Sequence, residues 1–480
     1  MIDTTALKTS IIDLAVSGKI SSRFQPSDSV SEIIPALPKV SGKRKNLLGQ
    51  AFEYGNRPEI PSHWKWICLG EIASYGDTPT KAYFDDVGGD TWILDLEDIK
   101  SGGILLAKNR VHGKRFAGDK TVFKAGQVLY SKLRPYLKKV LVADEDGIST
   151  PELISFDTFG GILPQYIVYC LLSSFTNRAI DKRSYGIKMP RVDAGFMVNL
   201  PIPLPPVSEQ HFIVARVQSA ISALDTIDAL QAKYADNLAV LKSKLIDAAI
   251  QGKLTEQLPE DGTAEELYRR IQAEKQALVK AGKIKKEKPL PEISANEIPF
   301  EIPANWKWVR LGCFGSWHSG ATPSRGNSSY YQNGTIPWLK TGDLNDDYIS
   351  FVPEYITELA LKECSVRINP VGSVLIAMYG ATIGKIGIAQ IPLTTNQACC
   401  ACNPYNEIHN RYLFFLLMAM RKTFIGMGIG GAQSNISKEK IINAVVPLPP
   451  LAEQKRIVAK LEEILPLCDE SKAISKRTEP

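Results

Sequence analysis

The stretch Ile202–Val217, IPLPPVSEQHFIVARV, is nearly rewritten at Val446–Leu461 as VPLPPLAEQKRIVAKL, 244 residues later. In each copy paired prolines stop an extended segment and a helix pattern follows. Ser208 is the N-cap candidate, with Glu209 and Gln210 in the first turn. Other fragments repeat as well. IPSHWKWICLGEI from Ile60 pairs with IPANWKWVRLGCF from Ile302, an offset of 242. KAGQVLYSK from Lys124 pairs more loosely with NPVGSVLIAM from Asn369. Each copy thus runs from a WKW opening to a PLPPxxEQ exit. A third fragment, LKTSIIDLAVSGKI from Leu7, matches LKSKLIDAAIQGKL from Leu241, which follows the first exit. The second exit lacks such a tail, so the halves form a cyclic order, a circularly permuted repeat. That order predicts a pseudo-twofold arrangement, with residues 1–28 folding against residues 450–475.

Between Pro206 and Gly252 there is neither Pro nor Gly, which predicts one long helix. Ile213, Val217, Ala220, Leu224, Ile227, Tyr234, Leu238, Leu241, Leu245 and Ala248 keep a 3-4 spacing, the pattern of a seam packed on another helix. The expected partner is the helix from Ala452, continued by the N-terminal helix, in a long antiparallel coiled coil that holds the globular units apart. The globular units read as α/β (α+β): GQVLYSKL and GSVLIAMYG are strands, and GGILPQYIVYCLL is a short apolar strand bordering a helix. The predicted organisation is 1–28 N-terminal helix, 50–205 first globular domain, 206–285 central helical spacer with an exposed basic linker, 290–448 second globular domain, and 449–480 C-terminal helix.

No apolar run reaches 18 residues, which excludes an ordinary membrane-spanning helix. Asp3 and the lack of a basic N-terminal region argue against a secretory signal, so the expected location is the cytoplasm. Eight scattered cysteines read as free thiols. CCAC at 399–402 lacks a CxxC partner or spaced histidines, and its surroundings alternate like a strand, so it reads as small buried residues rather than a metal site. The net charge of +6 hints at an anionic partner, and its distribution sharpens the hint. From Lys108 to Lys139 ten Lys or Arg face a single acid, Asp119, with Phe116, Phe123, Tyr130 and Tyr136 interleaved, as a nucleic-acid surface requires.

Catalytic signatures fail one by one. GATIGK at Gly380 has one residue too few for a phosphate loop and Ile386 where a hydroxyl should be, so it reads as a strand turn. GMGIGG at Gly426 follows MRKTFI, which is no Rossmann strand, and reads as a flexible loop. CNPY at Cys402 lacks the second proline of a methyltransferase base-holding motif. The five histidines show no ligand spacing. The chain is therefore not expected to be an enzyme by itself, nor to bind a metal or cofactor.

Twin IPxxWKWxxLG openings, twin PLPPxxEQ exits leading into helices and the GKI/GKL tails closely resemble the specificity subunit of type I restriction-modification systems, over nearly the whole chain. The resemblance implies two target recognition domains, each reading half of a split, asymmetric double-stranded DNA site. It implies a helical spacer that docks two methyltransferase subunits, with motor-nuclease restriction subunits joining them. S-adenosylmethionine and ATP with Mg would be bound by those partners. Because Lys and Arg reach phosphates, and Arg, Asn and Gln make bidentate contacts to purines, the candidate DNA contacts are as follows. In the first domain they are Lys81, Lys114, Arg115, Lys132, Arg134, Tyr136, Lys188 and Arg191; in the second, Thr322, Arg325, Lys340, Thr341, Asp343, Gln433 and Asn435. Trp64, Trp66, Trp306 and Trp308 are assigned to the core at each domain's entrance. The alternative is a DNA-associated assembly scaffold without sequence readout.

Overall fold

The computed structural model describes residues 1–112, 118–186, 188–428 and 435–468. Two compact units emerge, Ile2–Ala232 and the chain from Lys233 onward with Met1. In the N-terminal unit the WKW segment forms β1, Lys65–Cys68. It pairs antiparallel with the exit strand β2, Pro201–Leu204, Trp66 facing Pro203. In the C-terminal unit β3, Lys307–Arg310, pairs with β4, Val445–Leu448, Trp308 facing Pro447. The two repeated motifs of each unit therefore close it by pairing with each other. A two-stranded ribbon has two edges, which is where strand prolines are tolerated.

The EQ pair of each exit fastens this closure. Gln210 accepts the Leu163 amide at 2.9 Å and donates to Pro205 O at 3.0 Å; Gln454 repeats both bonds with His409 and Pro449 at the same distances. Glu209 accepts Trp64 Nε1 at 3.0 Å, Ser21 Oγ at 2.6 Å and His63 Nε2 at 2.8 Å. Glu453 accepts Trp306 Nε1 at 2.7 Å, Gln257 Nε2 at 2.6 Å and Thr255 Oγ1 at 3.1 Å. All four side chains are buried. Such fully partnered polar groups specify one arrangement where an apolar core would tolerate several.

Ser21 and Thr255 follow directly on the tails, so each tail is fastened to the opening and exit of its own unit. The contact depends on one glycine. Gly18 and Gly252 take φ of +73° and +72°, and a Cβ on either would lie 2.5 Å from the ring of Pro61 or Pro303. Within its own unit the N-terminal segment also meets Ser174, whose amide donates to Asp13 at 2.8 Å, and the long helix, through Thr4 with Asp228 and Ser27 with Ser208. Both units follow one order, tail, opening, core and exit.

The helix after the first exit runs Val207–Ile250, 44 residues. Its start differs from expectation in one respect. Ser208 lies inside the first turn, and the cap is Asp28, whose carboxylate accepts the Val207 amide at 2.7 Å and the Ser208 amide at 3.1 Å. A carboxylate is the group favoured at that helix end. Of the expected seam, Ile213, Val217 and Leu224 are buried, whereas near the helix end the buried positions are Ile246, Ala249 and Ile250, one or two residues beyond the seam's Leu245 and Ala248. Tyr234 and Leu241 are 55% and 44% exposed. The helices Thr4–Val16 and Leu451–Ile464, with 13 and 14 residues, are too short to cover 44.

Each unit adds a five-stranded and a three-stranded sheet. In the N-terminal unit the five run Lys81–Ala82, Lys120–Phe123, Gly147–Ser149, Trp92–Leu94, Asn109–Arg110, and the three centre on Val128–Ser131. In the C-terminal unit the five run Gly315–Ser319, Cys399–Pro404, Val374–Ala377, Ile386–Ala389, Asp347–Ile349, and the three centre on Ile336–Leu339. GGILPQYIVYCLL is not a strand. Pro164 opens a helix to Leu172 whose residues Tyr166–Leu171 are all buried, so no polar face marks its period in the sequence. The tryptophans divide by position: Trp64 and Trp306 stand just before the strands and are buried, while Trp66 and Trp308 lie within them and are half-buried. Trp66 lies against Phe175, and Trp308 against Phe300.

Candidate nucleic-acid interface

The cationic stretch 108–139 is less one-sided in space than in sequence. Lys108 pairs with Asp144 at 2.7 Å, Lys120 with Asp95 at 2.5 Å, Lys124 with Asp146 at 2.9 Å, and Arg110 with Glu145. Their acids come from neighbouring strands and turns, where a linear charge count cannot see them. The Lys108 and Arg110 hydrogen bonds hold the Asp144 and Glu145 carboxyls below their usual range. What remains concentrated is the loop that follows Val128–Ser131.

That loop meets a second one. The Arg134 amide donates to Pro190 O at 2.7 Å, the Val192 amide to Lys132 O at 3.2 Å, and Leu133 bridges Arg191. Tyr185 and Arg191 exchange both backbone bonds, at 2.9 and 3.0 Å. Lys132, Arg134, Tyr136, Lys188 and Arg191 are thereby gathered on two stitched loops, although they span nearly sixty positions of sequence. Arg134 and Lys138 hold φ of 48° and 51°, a left-handed backbone that costs any residue with a Cβ on the order of 1 kcal/mol or more. Arg134 and Lys188 are exposed, Tyr136 is 50% exposed, and the Arg191 guanidinium is held by Glu152 at 3.0 and 3.3 Å. Lys81 stands apart on an edge strand of the five-stranded sheet. Lys114 and Arg115 lie outside the described residues.

In the C-terminal unit the corresponding junction is between Tyr379 and Asn435, an antiparallel bridge next to the bond from the Ile436 amide to Met378 O at 2.9 Å. Asn435 is exposed; Gln433 lies outside the described residues. A second group forms around Glu354, which takes the Arg325 guanidinium at 2.8 Å and the Lys340 ammonium. Both hold its carboxyl below the usual range, Lys340 more strongly. Arg325 also stacks over Tyr331 and Trp338, 4.6 and 4.9 Å from the ring centres. Thr322 is exposed nearby in sequence, and Thr341 and Asp343 form the turn after Ile336–Leu339. Asp343 has a structural task there, accepting the Lys340 amide at 2.8 Å.

The description "Type I restriction modification DNA specificity domain" matches residues 61–233 and 303–477. The chain belongs to that family. Each match begins at an opening motif and passes through an exit, so both units of this specificity subunit are covered. The EcoAI specificity subunit of Escherichia coli is 26% identical over 98% of this chain and 90% of its own length. The EcoEI specificity subunit of the same organism is 24% identical over 97% and 90%. The fold is shared with the HsdS subunit from Thermoanaerobacter tengcongensis, TM-score 0.50 at 21% identity, covering 87% of this chain and 92% of that one. It is also shared with a chain from a type I R-M system solved for its "complex assembly", TM-score 0.63 at 22% identity over 88% and 95%.

Among the described residues of the specificity subunit no three His, Cys, Asp or Glu side chains are placed to hold a metal ion. Cys399, Cys400 and Cys402 are buried in the strand Cys399–Pro404, where burial pushes the Cys400 thiol up to about 12. No described helix is long and apolar enough to cross a membrane. Sequence reading did not single out Tyr185, Met189 and Tyr379, exposed by 57, 52 and 40% at the two loop junctions. Tyr379 lies two residues beyond the strand Val374–Ala377, and its place in GSVLIAMYG is its signal in the sequence.

Proposed function

We propose that the chain is the DNA sequence-specificity subunit of a type I restriction-modification complex, in which each unit reads one half of a split, asymmetric duplex site. The observation that carries this reading is the pair of equivalent loop junctions. Leu133–Arg191 and Tyr379–Asn435 occupy the same place in the repeated frame, yet one is surrounded by Lys and Arg and the other offers an amide and a phenol. One frame with two contents suits two different half-sites. Lys132, Arg134, Lys188 and Lys81 serve phosphates; Asn435, with Gln433, serves base edges.

Two methyltransferase subunits modifying adenine N6 and motor-nuclease restriction subunits dock on the helical parts, carry S-adenosylmethionine, ATP and Mg, and perform the chemistry in a prokaryotic cytoplasm. Tyr234, Val240 and Leu241, apolar and exposed in the long helix, support such docking. The pseudo-twofold placement and antiparallel helix pairing expected from the repeat belong to the same proposal. Half-site centres about 34 Å apart, one turn of duplex, would put both on one face. Competition between the specific duplex and random duplex for the assembled complex separates this reading from a scaffold that holds DNA by phosphates alone. Asn435→Ala is expected to relax one base position, at about 1–3 kcal/mol, in a panel of duplexes with single substitutions. Unchanged discrimination removes Asn435 from the contacts.

A further inference from the structure

The turn after the strand Trp92–Leu94 and the turn after Ile336–Leu339 share a backbone design. Each is a three-residue helical turn, 96–98 and 341–343. In each, an aspartate at its third position accepts the amide of the residue that heads it: Asp98 from Asp95 at 2.9 Å, Asp343 from Lys340 at 2.8 Å. Each strand also runs parallel to a neighbour in matching register, Leu94 beside Ser149 and Leu339 beside Thr395. Asp95 and Lys340 are thus the same position of the two units.

The side chains at this position have opposite charge, and each holds a counterion of opposite sign. Asp95 is 43% exposed and pairs with Lys120, itself 6% exposed, at 2.5 Å. Lys340 is 40% exposed and pairs with Glu354, 31% exposed. A frame kept while its charge is inverted is what two readers of different sequences require. A carboxylate can only accept hydrogen bonds and an ammonium can only donate them. We infer that Asp95 and Lys340 are equivalent specificity-determining positions of the two units. Asp95 accepts from the amino group of a cytosine or adenine, and Lys340 donates to the acceptors of a guanine or thymine. The counterions fix the direction of each head group. This inference rests on the DNA-reading function proposed above.

The test uses the full chain assembled with its methyltransferase subunits and reads the methylated motif by sequencing, together with binding to duplexes substituted one base at a time. Asp95→Lys combined with Lys120→Asp keeps the ion pair and inverts the head group. It is expected to change one base of one half-site from an amino-bearing to an acceptor-bearing base, by roughly tenfold to a hundredfold in preference, with the other half-site unaltered. Lys340→Met is a smaller change, and it is expected to relax one base in the other half-site. Methylation of the unaltered motif by both variants overturns the inference and leaves the proposed function standing. An equal loss of affinity for every duplex, with unfolding temperature and methyltransferase capture unchanged, also overturns it by assigning the pairs to general attachment. A wild-type complex that shows no split motif refutes the proposed function itself.

Discussion

Replacing Glu453 with alanine is expected to destabilise the C-terminal unit by about 3 kcal/mol, a drop of roughly 6–12 °C in its thermal midpoint. The buried carboxylate accepts three donors, from Trp306, Gln257 and Thr255. Thr255 and Gln257 reach water when it is removed, whereas Trp306, only 6% exposed, leaves its indole N–H without a partner. Part of the loss is offset because burial, the largest influence on this carboxyl, raises its pKa and shows that the charge is held at a cost. The sign follows from that. A raised folded pKa means that the folded chain binds the proton more tightly, so the wild type loses stability as pH rises from about 4.3 toward the folded value. The alanine variant lacks this segment of the pH profile. Thermal unfolding of Glu453→Ala, Trp306→Phe and the double variant measures the pair directly. If the double variant is no more stable than the sum of the single losses predicts, the indole–carboxylate bond does not close the unit.

Gly252→Ala is expected to cost about 3 kcal/mol, of which roughly 1–2 kcal/mol is the price of a Cβ in the left-handed region. The remainder is displacement of Pro303, whose ring would lie 2.5 and 2.7 Å from the new carbon, with Trp306 at 3.2 Å. Gly282 provides the control. Its φ is +68°, and nothing lies within 4 Å of a Cβ there, so Gly282→Ala registers only the conformational part. Gly18→Ala is the mirror experiment, with Pro61 at 2.5 Å and Trp64 at 3.3 Å. Equal losses at Gly252 and Gly282 in chemical denaturation would show that the tail does not depend on close packing against the opening.

What the sequence disclosed was what repeats. PLPPxxEQ and WKW were visible because their geometry is demanding: a proline ribbon, a buried Gln spanning the corner and a Glu under an indole leave little freedom. The long helix was visible because Pro206 and Gly252 bound a stretch with neither residue. Contacts between distant positions were hidden. Asp28 caps a helix that begins at Val207, and no local signal near Ser208 shows that the cap is already supplied. The charge of 108–139 was overstated for the same reason, since Asp95 and Asp144–Asp146 lie across the sheet. In the candidate site, the basic residues of two loops could be picked out but not their meeting through Arg134 and Pro190. The shared position of Asp95 and Lys340 was masked by the very difference in charge that gives it interest.

The measurement that bears most directly on the central claim is a map of N6-methyladenine in the host genome with the gene present and deleted. Loss of methylation at a single motif made of two unlike half-sites separated by a fixed gap is the expected result. A methylome identical in the two strains, while the accompanying methyltransferase is expressed and active, would contradict it.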